Sequence, residues 1–262
     1  MLRDRTALSV IVLLISVMRL DVYLFENGYA HSRSFAQSLI KSGKIKVDGK
    51  IVTKPSLDIE SETCIEVSED TVYVSRGAYK LEGAVKAFSV NVFDRSCIDI
   101  GASSGGFTDY LLKNGAMHVI AVDSGSNQLA ESLRTDSRVT SIENYNARYM
   151  RSDDLAYAPD LAVMDVSFIS ATYIIPAIYD VLCDKADFIC LIKPQFEVGK
   201  ANVGKGGIVK DEKARLAAID RVVSCAESIG FSSSGIIKSP IEGGDGNIEY
   251  LAHFVKSRNN GG

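Results

Sequence analysis

The stretch "CIDIGASSGGFTDYLLKNGAMHVIAVDSG", residues 97–125, decides the fold. An apolar run, "CIDI", leads into glycines at 101, 105 and 106 and then into a helical pattern. A second apolar run, "HVIAV", ends on Asp123. Strand, glycine loop, helix, strand is the opening unit of a doubly wound α/β sheet. The alternation continues downstream. "SNQLAESLR" reads as helix, "RVTSIEN" and "DLAVMDV" as strands, and "ATYIIPAIYDVL" as helix. "DFICLI" is again a strand, "EKARLAAIDRVVSCAESIG" a long helix, and "FSSSGIIKS" and "EYLAHFV" two closing strands. Sheets of this kind bind ligands in the crevice outside the carboxyl ends of their strands.

At that crevice the glycines let backbone approach a ligand closely, and Ala102, Ser103 and Phe107 complete the loop. The spacing does not match the GxGxxG of dinucleotide enzymes. Asp123, ending the second strand, suits a ribose hydroxyl pair in either an NAD or an S-adenosylmethionine site. A strand-end aspartate capping the next helix is the plainer alternative.

The 262 residues, 46% hydrophobic and 24% charged, describe a globular chain with room for one large or two unequal domains. A formal net charge of -4 excludes a protein coated with basic residues, so any nucleic-acid site must be a local patch. The five cysteines are widely spaced, with no CxxC, and point to a reduced cytosolic setting. The three histidines stand singly and no metal site is expected; His118, in "MHVIAV", reads as a strand residue. "ALSVIVLLISV", residues 7–17, is eleven residues long, short of the roughly 20 that span a bilayer. It reads as an appendage, and translation from Met18 is an alternative start.

Charge divides the first part of the chain. Arg19 to Lys54 holds seven basic residues against three acidic, whereas Leu57 to Asp70 holds six acids and no bases. In "SRSFAQSLIKSG" Phe35, Ala36, Leu39 and Ile40 share one helical face and Arg33, Gln37 and Lys41 another, with Ser32 or Ser34 as cap and Gly43 as stop. "KIKVDGKIV" follows, a hairpin turning on Asp48-Gly49, with Lys44 and Lys46 on one face. Charge alone fits a solvated amphipathic helix equally well. "VYVSRGAYKLEGAVKAF" then joins the halves through Ser75-Arg76-Gly77 and a helix with Lys80 in its first turn.

Four ionisable residues stand where strands or helices open onto the crevice: Lys80, Asp165 in "MDVSF", Lys193 in "LIKPQFE" and Glu249 in "GNIEYL". Each alone reads as a surface salt-bridge member or strand-end charge. Together they make a mixed lysine and carboxylate network, an arrangement that fixes a lysine's geometry and tunes its proton affinity. Lys193, held by Pro194 at the end of an apolar run, is either a solvated strand end or a working base.

"MRLDVYLFENGYAHSRSFAQSLIKSGKIKVDGKIV" resembles the S4 RNA-binding domain. Combined with "SRGAYKL", "DIGASSGGFTD", "DVSFIS", "LIKPQFE", "KGGIVKD" and "GNIEYLAHF", it resembles the TlyA family of bacterial rRNA ribose 2′-O-methyltransferases, also described as haemolysin-like, over residues 18 to about 256. Ala78 departs from the family, which commonly has a second glycine there.

The resemblance implies a Rossmann-like class I methyltransferase sheet with helices on both faces, plus a small N-terminal α+β S4-like domain. It implies an extension over 1–17, an S4-like domain over 18–74, a linker at 75–79, a methyltransferase domain over 80–257 and a polar tail at 258–262. Lys80, Asp165, Lys193 and Glu249 would be the catalytic tetrad of FtsJ-like ribose methyltransferases. Lys193 would serve as general base, Asp165 would orient it, Lys80 would position the ribose and Glu249 would orient a lysine. Gly101 to Phe107 and Asp123 would surround S-adenosyl-L-methionine, with Glu143 to Asn146 reaching the adenine. Arg19, Ser32, Arg33, Lys41, Lys44, Lys50 and Arg76 would meet RNA phosphates, which position a substrate without specifying it. "EVGKANVGKGGIVK", residues 197–210, would be a mobile flap over an anionic substrate or a plain surface loop. The expected partner is ribosomal RNA or ribosomal subunits, in the cytoplasm and without a stable membrane partner. A membrane-active haemolysin and a non-catalytic S4-type RNA binder are the alternatives.

Overall fold

A computed structural model describes residues 17–30, 33–41, 43–60, 63–67 and 73–257. The apolar segment 7–17, apart from Val17, and the tail 258–262 lie outside these residues. The chain divides into two compact units, Met1–Val72 and Tyr73–Gly262.

In the first unit, β1 (Val17–Arg19) leads into α1 (Leu20–Glu26) and α2 (Arg33–Lys41). Short strands follow: β2 (Ile45–Val47), β3 (Lys50–Val52), β4 (Asp58–Glu60) and β5 (Ile65–Val67). The expected hairpin is β2–β3, and Asp48 and Gly49 both adopt positive φ, as a two-residue hairpin turn requires. β2 also pairs with β5, and β1 with β4, all antiparallel. The α2 helix stops where the Gly43 N–H donates to Ile40 O and the Lys44 N–H to Leu39 O. Its apolar face buries Ala36, Leu39 and Ile40 against Leu20, Leu24 and Ile45.

The second unit opens with α3 (Gly77–Phe88), then β6 (Ser96–Ile100), α4 (Gly106–Lys113), β7 (His118–Val122), α5 (Glu131–Arg134) and β8 (Val139–Ile142). The chain returns through β9 (Leu161–Met164), α6 (Ile175–Val181), β10 (Asp187–Ile192), α7 (Pro194–Glu197) and α8 (Glu212–Ile229) to β11 (Phe231–Lys238) and β12 (Tyr250–Lys256). The seven strands lie in the order β11-β12-β10-β9-β6-β7-β8. β10, β9, β6, β7 and β8 are parallel, and β12 runs antiparallel between β10 and β11. The order reverses between β6 and β9, so a crevice opens at their carboxyl ends. Both faces of the sheet are covered, one by α6 and α8, the other by α3 and α4, which is why β9 is buried at every position. At the opposite end Arg95 bonds Asp160 and Asp187, and His253 Nε2 lies 2.8 Å from Asp187 Oδ1, tying the strand entries together.

Three local expectations fail for identifiable reasons. Residues 77–79, expected in a linker, form the first turn of α3, with Ala78 fully buried in the core. The helix expected over 126–134 shrinks to Glu131–Arg134, because Asn127 takes a left-handed conformation and its N–H is held by the Glu143 carboxylate at 2.9 Å. The helix expected over 171–182 breaks into a short 3₁₀ turn and α6, with Pro176, which has no N–H to donate backwards, at the start of α6. Among the described residues no helix is long and apolar enough to cross a membrane.

Candidate active site

The crevice has two adjoining lobes that share Gly101, Ser103, Asp165 and Ser167. The larger, of about 460 Å³, reaches past Asp123 and Gln128 to Tyr145 and Asn146. The smaller, of about 320 Å³, is lined by Ser75, Arg76, Lys80, Asp99, Phe107 and Lys193, among others.

The glycine loop follows β6. At Gly101, φ is +81°, and a Cβ would lie 2.4 Å from the carbonyl oxygen of Asp165, so only glycine lets the loop cross the end of β9. At Gly106 a Cβ would lie 2.1 Å from Ser75 Oγ and 3.1 Å from the Ala78 nitrogen. The N-termini of α3 and α4 therefore abut beside the smaller lobe. Ala102, Ser103, Gly106 and Phe107 line that lobe, whereas Gly105 packs against Leu133 and lines neither. Asp123 is oriented by its own surroundings: its oxygens accept from the Ser103 and Gly125 N–H groups, each at 2.7 Å. Asn146 lines the larger lobe and its side chain accepts from the Arg148 N–H. Glu143, expected at the adenine, is turned to Asn127 and lines neither lobe.

Four charges meet at the floor. Lys80 Nζ lies 2.6 Å from Glu249 Oε2 and 4.0 Å from Asp165 Oδ2. Lys193 Nζ lies 2.5 Å from Asp165 Oδ1 and donates to Ser167 Oγ at 2.8 Å. Asp165 follows β9, Lys193 follows β10 and Glu249 precedes β12. Because β12 is antiparallel, its first residues lie at the same end of the sheet as the last residues of β9 and β10. A Cβ on Gly243 would lie 2.6 Å from Glu249 Oε1, so that glycine makes room for the acid.

Other residues at or around the crevice lie within the quoted motifs but carry no role assigned from sequence. Asp99 in β6 is fully buried; its Oδ2 accepts from the Thr108 N–H and hydroxyl, and its Oδ1 has no hydrogen-bond partner among the described residues. Burial pushes its carboxyl up to about 7, with the charges of Asp165 and Asp123 adding to the rise and the Thr108 bonds opposing it. A charged residue inside "CIDI" was the available signal. Asn247, 1% exposed, accepts from the Val209 N–H and donates to Gly207 O, fastening the end of the expected flap to the loop that carries Glu249. Phe168, at positive φ and 92% exposed, stands at the lip against Phe196.

In the first unit, the buried Asp21 gathers Arg19 of β1 and two groups of the polar face of α2. Arg19, Arg33 and Gln37 all donate to it, at 2.9, 3.3 and 2.7 Å. Burial alone would raise its carboxyl, but those bonds prevail and hold it at about 2. Lys41 and Lys50 are exposed and Lys44 half-buried. Ser32 lies outside the described residues. Arg76 is in the second unit, where its guanidinium donates to Glu242 O and lines the smaller lobe.

The FtsJ-like methyltransferase family profile matches residues 73–256, and that of the S4 domain residues 18–63. The chain belongs to the TlyA family of FtsJ-like methyltransferases. It is 44% identical to the 16S/23S rRNA (cytidine-2′-O)-methyltransferase TlyA of Mycobacterium tuberculosis, over 89% of this chain and 88% of that one. It is 46% identical to Hemolysin A of Brachyspira hyodysenteriae, over 91% of this chain and all of the other. Among solved structures, one from Streptococcus thermophilus described as a hemolysin candidate superposes with a TM-score of 0.71 at 41% identity, covering 93% of this chain and 90% of that one. As a TlyA-family member the chain is a methyltransferase with an S4 domain ahead of its catalytic unit.

Proposed function

We propose that this protein transfers a methyl group from S-adenosyl-L-methionine to a ribose 2′-hydroxyl of ribosomal RNA, a cytidine of 16S or 23S rRNA, in the cytoplasm. The observation that carries the reading is the meeting of Lys80, Asp165, Lys193 and Glu249, from four separate parts of the chain, beside a glycine loop. The relative from Mycobacterium tuberculosis, named for this reaction, supports the choice of substrate.

The residues present fit the methyl donor. Asp123, with one oxygen on each of two backbone N–H groups, keeps lone pairs for ribose hydroxyls. The smaller lobe suits an amino acid: the unpartnered Asp99 Oδ1 is an acceptor for an ammonium, and Ser75 with the N-termini of α3 and α4 attracts a carboxylate. When bound, S-adenosylmethionine supplies an electrophilic methyl on a sulfonium.

A ribose hydroxyl is a poor nucleophile at neutral pH, so the chain's own groups must take its proton and hold it in line. Lys193 Nζ is the general base that accepts the 2′-hydroxyl proton. Asp165 and Ser167 take up two of its polar directions and leave the remainder toward the crevice. Lys80, braced by Glu249, holds the sugar oxygen and offsets the charge that develops on it. The S4 unit docks on RNA through Lys41, Lys44, Lys50 and the Asp21-ordered arginines Arg19 and Arg33, without selecting the nucleotide. The test is labelled methyl transfer to 30S and 50S subunits, followed by mapping of ribose methylation. A protein that binds the donor in calorimetry and modifies neither subunit would overturn the reading.

A further inference from the structure

Neither wall of the charge cluster is stiff by itself. Residues 165–170 leave β9 without regular structure, and α7 is a single turn directly after Lys193. One buried side chain ties them together. Glu197, 4% exposed, accepts from the Ser170 hydroxyl at 2.5 Å through Oε2 and from the Ala171 N–H at 2.8 Å through Oε1. Its own carbonyl accepts from Arg221 of α8 at 3.0 Å, anchoring the turn from behind. At the lip the same two segments meet again through Lys193 Nζ to Ser167 Oγ and through the rings of Phe168 and Phe196. The result is a closed ring: Lys193, Ser167, along the chain to Ser170, across to Glu197, and one turn back to Lys193.

We propose that Glu197 is a positioning residue for methyl transfer, setting the distance of Lys193 from Ser167 and Asp165 by clamping the 165–171 loop to α7. The claim rests on the tetrad's catalytic role argued above. The carboxylate touches neither lobe of the crevice, so it acts through its neighbours. Burial raises its proton affinity against the pull of Ser170, Ala171 and Arg221, a cost that a merely space-filling residue would not carry.

Glu197→Ala removes both bonds. Glu197→Gln keeps them, since its amide oxygen still accepts from the Ala171 N–H and its amide nitrogen donates to Ser170. A displacement of the base by an ångström costs about 10²-fold. Single-turnover transfer to ribosomal subunits should therefore fall by about that factor in Glu197→Ala, with donor affinity by calorimetry unchanged, and Glu197→Gln should restore it. Val222→Ala, which opens the core beneath α8 at a residue that lines neither lobe, supplies a destabilised control that keeps its rate below its melting temperature. Should Glu197→Ala not fold, Glu197→Asp keeps the charge but cannot reach both donors, and the same loss is expected. Wild-type turnover in Glu197→Ala or Glu197→Asp, or a rate loss in Val222→Ala in proportion to its melting temperature, overturns the proposal. A wild-type protein that modifies neither subunit sinks the functional reading, and the positioning claim falls with it.

Discussion

Lys193 has few directions left to use. Asp165 lies at 2.5 Å and Ser167 at 2.8 Å, so the amine can address a substrate only along what remains. As the proposed base it would touch the reacting hydroxyl and not the donor. Lys193→Ala is expected to lower transfer by about 10²- to 10⁴-fold while calorimetric donor affinity stays near wild type. Asp99 makes the opposite case, a residue of the ground state. Its folded-state carboxyl is raised to about 7, above the ordinary value of about 3.9. Its contribution to the stability of the empty protein is full below the ordinary value and is lost as pH rises through about 7. A ligand ammonium needs the ionised form, so donor affinity should climb between about pH 6 and 8, and Asp99→Asn should flatten the climb; calorimetry across that range measures both. The meeting of the four charges was legible because Asp165, Lys193 and Glu249 each adjoin an apolar strand run and Lys80 stands in the first turn of a helix. The roles of Asp21, Asp99, Glu197 and Asn247 were not, since most of their partners lie between 9 and 40 residues away and the motifs that contain them do not say what they touch.

At the scale of elements, the abutting ends of α3 and α4 bring Lys80 into the site. The Gly106 position has no room for a methyl group against Ser75 and Ala78. Gly106→Ala must turn the Ser75 hydroxyl aside and move the start of α3 by a few tenths of an ångström at the Ala78 nitrogen, at an expected cost of about 1–3 kcal/mol, which loosens the placement of Lys80. A lowered melting temperature together with lost transfer is the expected pair of results; an unchanged crevice at wild-type stability would contradict the packing argument. The parallel strands were readable because strands buried on both faces are nearly pure apolar runs. The segments around residues 127 and 174 were not, because Asn127 and Pro176 redirect the backbone where the apolar spacing still suggests a helix. The beginning of α3 was misread for a related reason: "SRG" looks like punctuation, whereas Gly77 is helical and Ala78 is core.

At the scale of the whole molecule, the proposed docking residues and the charge cluster lie in separate units, so the two proposed roles should fail separately. Lys41 and Lys50 are exposed and form no ion pair among the described residues. Lys41→Glu with Lys50→Glu should weaken subunit binding and lower the slope of log affinity against log salt by about 0.7–0.9 per lost phosphate contact. Turnover at saturating subunit should persist; filter binding across salt concentrations and single-turnover assays read the two. Arg33→Glu is a poorer probe, since it would set a second carboxylate against the buried Asp21. The last strand of the second unit, β12, also governs when the site can form. β12 threads between β10 and β11 and brings Glu249 with it, so a nascent or clipped polypeptide stopping short of residue 249 would own the glycine-loop crevice yet lack the strand that joins β11 to the sheet and the brace for Lys80. On the proposed role of Glu249, translation must pass nearly the whole second unit before the charge cluster is complete, and removal of that strand by proteolysis is expected to abolish transfer.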